Sequence, residues 1–320
     1  MGLTHFPNGV STFGYPVLPP IPFSADSIYY YVDSINGNDG NSGTDPSQAF
    51  KTVEKGYAQL RAGHYDTLFL IGLGTAFTIA ASINWSKDYT NLVGITAPLQ
   101  TAQRVRITTG AVNTISPVIS FSGTGITVKN LQIVQFGNSA TTCAQNVLVN
   151  GQRSYFEGVH FAGGGNATNR GGTLMRSLTV DGNGTNGYGE HVFNQCTIGK
   201  DDVSTAGACF ELDFLNFTQR NLFRDCVFNR TASVATGGFI NVPASGILRW
   251  QLFDRCWFLN DTDATALTHA VTLTATSGLI IMRQAMLSGG TSWCGSGKAN
   301  FLMEGINAAA TIGIAYEPTS

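Results

Sequence analysis

One pattern recurs at a fixed interval and limits what this chain can become. Phe193-Asn-Gln-Cys196-Thr-Ile198, Phe223-Arg-Asp-Cys226-Val-Phe228 and Phe253-Asp-Arg-Cys256-Trp-Phe258 all read F-x-x-C-x-apolar, at intervals of 30 residues. A period of this length marks an array of units that bury their apolar rows only against their neighbours. Looser copies at Val128 to Ile133, Phe156 to Phe161 and Met282 to Leu287 extend the series, with spacings of 28, 37 and 29 residues. Between copies lie shorter apolar segments such as Ala208 to Phe214 and Gly238 to Val242, fenced by Gly, Asn or Ser. Two or three short strands per period predict a parallel β-solenoid of about eight coils. Each repeated position then stacks on itself at about 4.8 Å. Phe193, Phe223 and Phe253 would form an aromatic stack and Cys196, Cys226 and Cys256 a thiol stack beside it. A propeller blade, with four strands in ~40–45 residues, needs a longer period.

Composition agrees with an all-β chain. Charged residues are 12%, half the usual share of roughly 25%, yet 43% of residues are hydrophobic, with 20 Phe and 10 Tyr to bury, which excludes a disordered chain. A net charge of −2 offers no field to attract nucleic acid or an acidic membrane surface. The longest apolar stretch, Leu68 to Leu73, is far short of the ~20 residues of a membrane span. Residues 1–27 hold no Lys or Arg and no apolar leader core, so we expect a chain not exported by the usual route. The six cysteines (Cys143, Cys196, Cys209, Cys226, Cys256, Cys294) form no C-x-x-C pair and read as buried thiols of a reducing cytoplasm.

The region before the repeats differs. Residues 1–27, with Pro7, Pro16, Pro19, Pro20 and Pro22 among Phe6, Phe13, Tyr15 and Phe23, cannot build their own core and read as an extended arm that lies on a partner. Residues 28–66 hold a strand at Tyr29–Asp33, a loop at Ser34–Pro46 and a helix. Phe50, Val53, Tyr57 and Leu60 fall at helical spacing, with Asp45, Pro46 and Ser47 as start signals and Gly63 as the stop. An amphipathic helix over Phe50–Leu60 would close the open end of a solenoid occupying residues 67–320, which finishes in a short C-terminal cap.

Two stretches resemble known families. Tyr31-Val-Asp33, Gly37, Asp39, Gly43 and Pro46, followed by Ala49-Phe50-Lys-Thr-Val53, are similar to the opening of right-handed parallel β-helix proteins of the pectin-lyase-like superfamily. That resemblance implies the fold more than the function, because the fold carries lyases, hydrolases, adhesins and viral spikes. Leu3 to Gly14 with Pro16-Val-Leu18 resembles the N-terminus of tailed-bacteriophage virion proteins, with His5 and Thr12 departing from the commoner Asn and Ser. It implies a virion structural protein near the major capsid protein.

Catalytic signals are sparse. Neither Gly-His-Gly nor Arg-Ile-Lys occurs, and the adjacent acids Asp201-Asp202 read as a solvated turn after Gly199-Lys200. Glu211 and Asp213, two apart, would share one strand face where two glycosidase carboxylates could stand. The plainer reading is that acids face out while Phe210, Leu212 and Phe214 face in. His5, His64, His160, His191 and His269 show no metal-ligand spacing, and His160 should point outward. Asp39 and Asn41 lie in a loop without the acidic register of a calcium site, and Gly163-Gly-Gly-Asn166 and Gly295-Ser-Gly-Lys298 are not phosphate loops. The N-x-[ST] sequons at Asn84, Asn166, Asn183, Asn216, Asn229 and Asn260 read as turn residues at coil corners.

The sequence therefore predicts a right-handed parallel β-helix without cofactor, metal site or catalytic residue. Its expected role is that of a non-enzymatic capsid decoration or cement protein on a virion, assembled in the host cytoplasm and homotrimeric. Phe6, Pro7, Asn8, Gly9, Val10, Phe13, Gly14, Pro16 and Val17 would dock on the major capsid protein, engaging many weak sites on a symmetric lattice. No nucleic acid or membrane partner is expected, whereas a surface glycan is compatible with the fold. The alternative is a tail spike or fibre that binds or depolymerises polysaccharide through Glu211, Asp213 or Asp201.

Overall fold

The computed structural model describes residues 11–12, 15–16, 21–101, 105–184, 187–261, 264–295, 298–304 and 314–316. The chain winds as a right-handed parallel β-helix. Each coil passes through a first, a second and a third sheet before rejoining the first, and among the described residues these hold 11, 8 and 7 strands, all paired in parallel. The repeat sets this register. Phe156, Phe193, Phe223, Phe253 and Met282 pair in succession on the first sheet, and Ile198, Phe228 and Phe258 on the second. The rings of Phe156, Phe193, Phe223 and Phe253 stack nearly parallel with centroids 4.8, 4.5 and 4.7 Å apart, each 0% exposed.

The corner between the first and second sheets explains the spacing inside the motif. Its third residue is left-handed in coil after coil: Asn130 (φ 53°), Gly158 (60°), Gln195 (51°), Asp225 (52°), Arg255 (53°) and Gln284 (48°). Such a φ is unfavourable by about 1–2 kcal/mol for a residue with a side chain. A regular hydrogen bond offsets it, since the N–H of Gln195, Asp225 and Arg255 donates to Arg224, Asp254 and Arg283 O of the next coil, each at 2.9 Å. The sharp turn aims the following cysteine back into the core. Cys196, Cys226 and Cys256 are free, buried thiols whose S–H donates to Phe156 O, Phe193 O and Phe223 O of the preceding coil at 3.5, 3.3 and 3.5 Å.

A helix seals the N-terminal end, shorter than the Phe50–Leu60 span expected. Asp45 caps a single 3-10 turn, Pro46–Gln48, and the α-helix runs Val53–Gln59 with Thr52 as its cap. The cause is Asp39, whose carboxylate accepts from Lys51 N, Thr52 N and Thr52 Oγ1, so the backbone before Val53 serves the loop instead of a helical turn. Gly56 permits close seating, since a methyl there would meet Leu68 Cδ1 at 2.6 Å and Val32 Cγ2 at 2.8 Å.

The expected docking residues Phe6, Pro7, Asn8, Gly9, Val10, Phe13, Gly14 and Val17 lie outside the described residues. Near them, Ser11–Thr12 pairs antiparallel with Tyr15–Pro16. Of the sequon residues, Asn183 and Asn216 are left-handed turn positions and Asn166 caps a helix. Asn84, Asn229 and Asn260 instead belong to strands, the last two buried, so they are not corner residues.

Candidate active site

The outer face of the third sheet gathers the acids that alternation places outside. Within Arg176–Asp181, Phe210–Leu215 and Gly238–Val242, the inward rows are Leu178, Leu212, Ile240 and Val180, Phe214, Val242, all 0% exposed. The intervening outward row aligns Thr179, Asp213 and Asn241. Asp213 faces out, as expected, but is only 7% exposed. Arg176 Nε stands 2.6 Å from Asp213 Oδ2, while its Nη1 donates to Thr173 O and Met175 O and its guanidinium lies over the Phe210 ring. Phe210 is therefore a half-buried platform for Arg176 and not an inward core residue as alternation predicted.

Asp213 Oδ1 is buried without a hydrogen bond of good geometry. Burial pushes the Asp213 carboxyl above its usual value, even though Arg176 and the Asn241 amide favour the charged form. A second carboxylate, Asp181, shares this face one strand away and two residues along. From interstrand spacing and rise, its Cα stands roughly 8 Å from that of Asp213. Asn183 N and Asn216 Nδ2 hold its oxygens at 2.7 to 3.0 Å. The arrangement places a desolvated carboxyl and a solvent-accessible carboxylate on one face of the sheet.

Glu211 does not join them. It is 2% exposed, and its Oε1 lies 2.9 Å from Arg170 Nη2 and 3.5 Å from Arg230 Nη1, while Oε2 accepts from Ser177 Oγ at 2.5 Å. These partners make Glu211 a buried structural anion, correcting its expected place on the exposed face. Arg170 comes from the helix Ala167–Arg170, which lies within the long 37-residue interval of the repeat. Asp201 and Asp202 are exposed, but in the strand Thr197–Thr205 instead of a turn. The register slips between Lys200 and Thr205, so these acids ride an outward bulge, with Asp202 paired to Lys200 at 2.7 Å. His160 lies on the outer row of the second sheet yet is 2% exposed, with Nδ1 3.0 Å from Gln132 Nε2 and Nε2 2.8 Å from Gly199 O. Burial lowers its pKa to about 4. Asp33 and Asp39 direct their oxygens at backbone N–H groups of their own loop and the helix cap.

Comparison of the sequence with protein-family models and with curated proteins finds no match. Solved structures do match in shape. A mutant pectin methylesterase in complex with a hexasaccharide aligns with a TM-score of 0.59 at 12% identity, over 91% of this chain and 94% of that one. Pectin methylesterase PemA from Erwinia chrysanthemi aligns at 0.53 and 13% identity, over 90% and 92%, and pectate lyase Pel9A at 0.57 and 13%, over 92% and 73%. At such identities the likeness shows the fold, a parallel β-helix of the kind found in polysaccharide-acting enzymes. It overturns the expectation of a non-enzymatic protein, which rested on the arm-like residues 1–27 and the scarcity of catalytic motifs, because the fold is shared along nearly the whole chain with pectin methylesterases and a pectate lyase. Nothing in these likenesses points to a capsid.

Sequence reasoning put Asp213 on this face with Glu211 beside it and did not single out Asp181. Superposing Leu178 to Asp181 on Leu212 to Leu215 would have put Asp181 on the same face. Arg176 left no sequence signal, because its approach to Asp213 depends on which coil lies beside which.

Proposed function

We propose that the chain cleaves a polysaccharide by glycoside hydrolysis on the outer face of the third sheet. The observation that carries this reading is Asp213, a buried carboxyl whose burial favours the protonated form, on the same sheet face as Asp181. Asp213 delivers its proton to the leaving glycosidic oxygen. Asp181 takes a proton from the water that attacks the anomeric carbon. Incubation with a panel of neutral and acidic polysaccharides should release new reducing ends. Asp213→Asn and Asp181→Asn should each lower that rate by about 10²- to 10⁴-fold without unfolding the chain. Cleavage untouched by either substitution would refute the assignment, and release of methanol or acetate without new reducing ends would replace it with ester hydrolysis.

The resemblance of Leu3 to Leu18 to phage virion proteins supports a virion setting. In that reading residues 1–27 attach a homotrimer of the enzyme to the major capsid protein. Purified particles carrying a chain that lacks residues 1–27 should lose this protein; full retention would sink the attachment.

A further inference from the structure

The corner between the first and second sheets, on the far side from Asp213, carries a feature that the proposed reaction does not use. The segment after the strand Asn91–Ile95 leaves its own coil and runs along the solenoid. Gln100 Nε2 reaches Asp225 O at 2.9 Å, and Thr197 Oγ1 donates to Gln100 O at 2.7 Å. On either side of Gln100 a pocket opens along the corner. One, about 410 Å³, is lined by Leu99, Lys129, Asn130, Glu157 and Gln195, and the other, about 360 Å³, by Asp225, Val227, Arg255, Trp257 and Gln284. Along the outer row of the second sheet Gln100 covers Thr197, but the next residues in register, Val227, Trp257 and Met286, lie beyond it, and Trp257 is 52% exposed.

The chemistry of these walls selects a ligand. Their charges are already matched: Arg255 holds Asp225 through Nε and Nη2 at 2.7 and 2.9 Å and Asp254 through Nη1 at 3.0 Å, and Lys129 Nζ meets Glu157 at 2.5 Å. A charged ligand would have to break these pairs. What remains is a flat indole, apolar Leu99 and Val227, and the amides of Gln100, Asn130, Gln195 and Gln284. Such a surface suits a molecule with one apolar face and a rim of hydroxyls. Two pockets in line, on a wall whose residues recur at the coil spacing of about 4.8 Å, suit a ligand built of repeating units.

We propose that this corner is a binding site for a neutral oligosaccharide, with a pyranose ring stacked on Trp257 and the chain running along the solenoid past Gln100. The site anchors glycan on the face opposite the catalytic one and stands whether or not Asp213 cleaves. The full chain would be titrated calorimetrically with neutral hexasaccharides of glucose, mannose, galactose, xylose and N-acetylglucosamine, and with hexagalacturonate. At least one neutral hexasaccharide should bind. Trp257→Ala should weaken it 10-fold or more, Trp257→Phe less, and Trp250→Ala, at a half-exposed indole elsewhere, should leave it unchanged. Asp213→Asn should retain full binding, which separates this site from the catalytic proposal. The inference is overturned if no neutral member binds, if only hexagalacturonate binds, if Trp257→Ala binds as wild type, or if light scattering shows that Trp257 instead holds two copies of the chain together.

Discussion

Phe223→Ala tests the ladder on which the fold rests. The ring is 0% exposed, stacked between Phe193 and Phe253 at 4.5 and 4.7 Å, and met obliquely or edge-on by Phe214 and Phe228 at 6.0 and 6.1 Å. Truncating a buried Phe costs about 3–5 kcal/mol, and each lost aromatic pair adds about 0.5–1.5 kcal/mol beyond area. The cavity cannot close readily, because the strand Asn221–Arg224 is hydrogen-bonded to a neighbour on each side. We therefore expect a loss near 5 kcal/mol, read from urea unfolding as a lower midpoint with an unchanged slope, after refolding has been verified. The double-mutant cycle of Phe193→Leu with Phe223→Leu should give a coupling of about 0.5–1.5 kcal/mol. A loss under about 2 kcal/mol with no coupling would mean that the coils are held by their backbone ladders and the repeated Phe is incidental.

Further outcomes follow from the same contacts. Glu211→Gln should destabilise by about 3–5 kcal/mol, because Arg170 and Arg230 would stay buried with their anion gone; midpoints equal to wild type would contradict its structural role. Asp39→Ala, which strips the acceptor from Lys51 N and Thr52 N, should cost about 1–2 kcal/mol and show first as faster hydrogen exchange in Val53–Gln59. Burial holds His160 at about 4 and His191 at about 3, below the unfolded value of about 6.5, so the unfolded chain takes up protons that the folded chain refuses. Their contribution is therefore complete above pH 6.5 and declines as pH falls toward 4, by about 3–4 kcal/mol between pH 7 and 5 for the two together. Urea midpoints should show that decline and His160→Gln should halve it, whereas flat stability across the window would refute it.

The corner turns show where legibility stopped within the fold. Spacing announced the F-x-x-C ladder, but not that Gln195, Asp225 and Arg255 adopt a left-handed backbone, for nothing local favours it in Gln or Arg. The conformation is held by an N–H bonded to the next coil, a contact between residues 29 or 28 positions apart. The helix was legible in its apolar spacing and misjudged at its start, where Asp39 reaches across 12 residues to Lys51 N. At the candidate site, period-two alternation located Asp213 correctly and gave Glu211 the same face. A strand pattern records which side a residue faces, not which cations wait there.

The sequence by itself determined that this chain coils, with what period, and which rings and thiols stack. Those facts are consequences of repetition, since identical rows can only bury themselves against one another. Tertiary structure alone decided the chemistry: that Glu211 is sealed between Arg170 and Arg230, that Asp213 meets Arg176 and faces Asp181, and that Gln100 crosses several coils to leave Trp257 uncovered. Each of these depends on side chains 19 or more positions apart, or on a strap whose path no periodicity encodes. Burial and charge pairing arise from such neighbours, and they set which carboxyl keeps its proton.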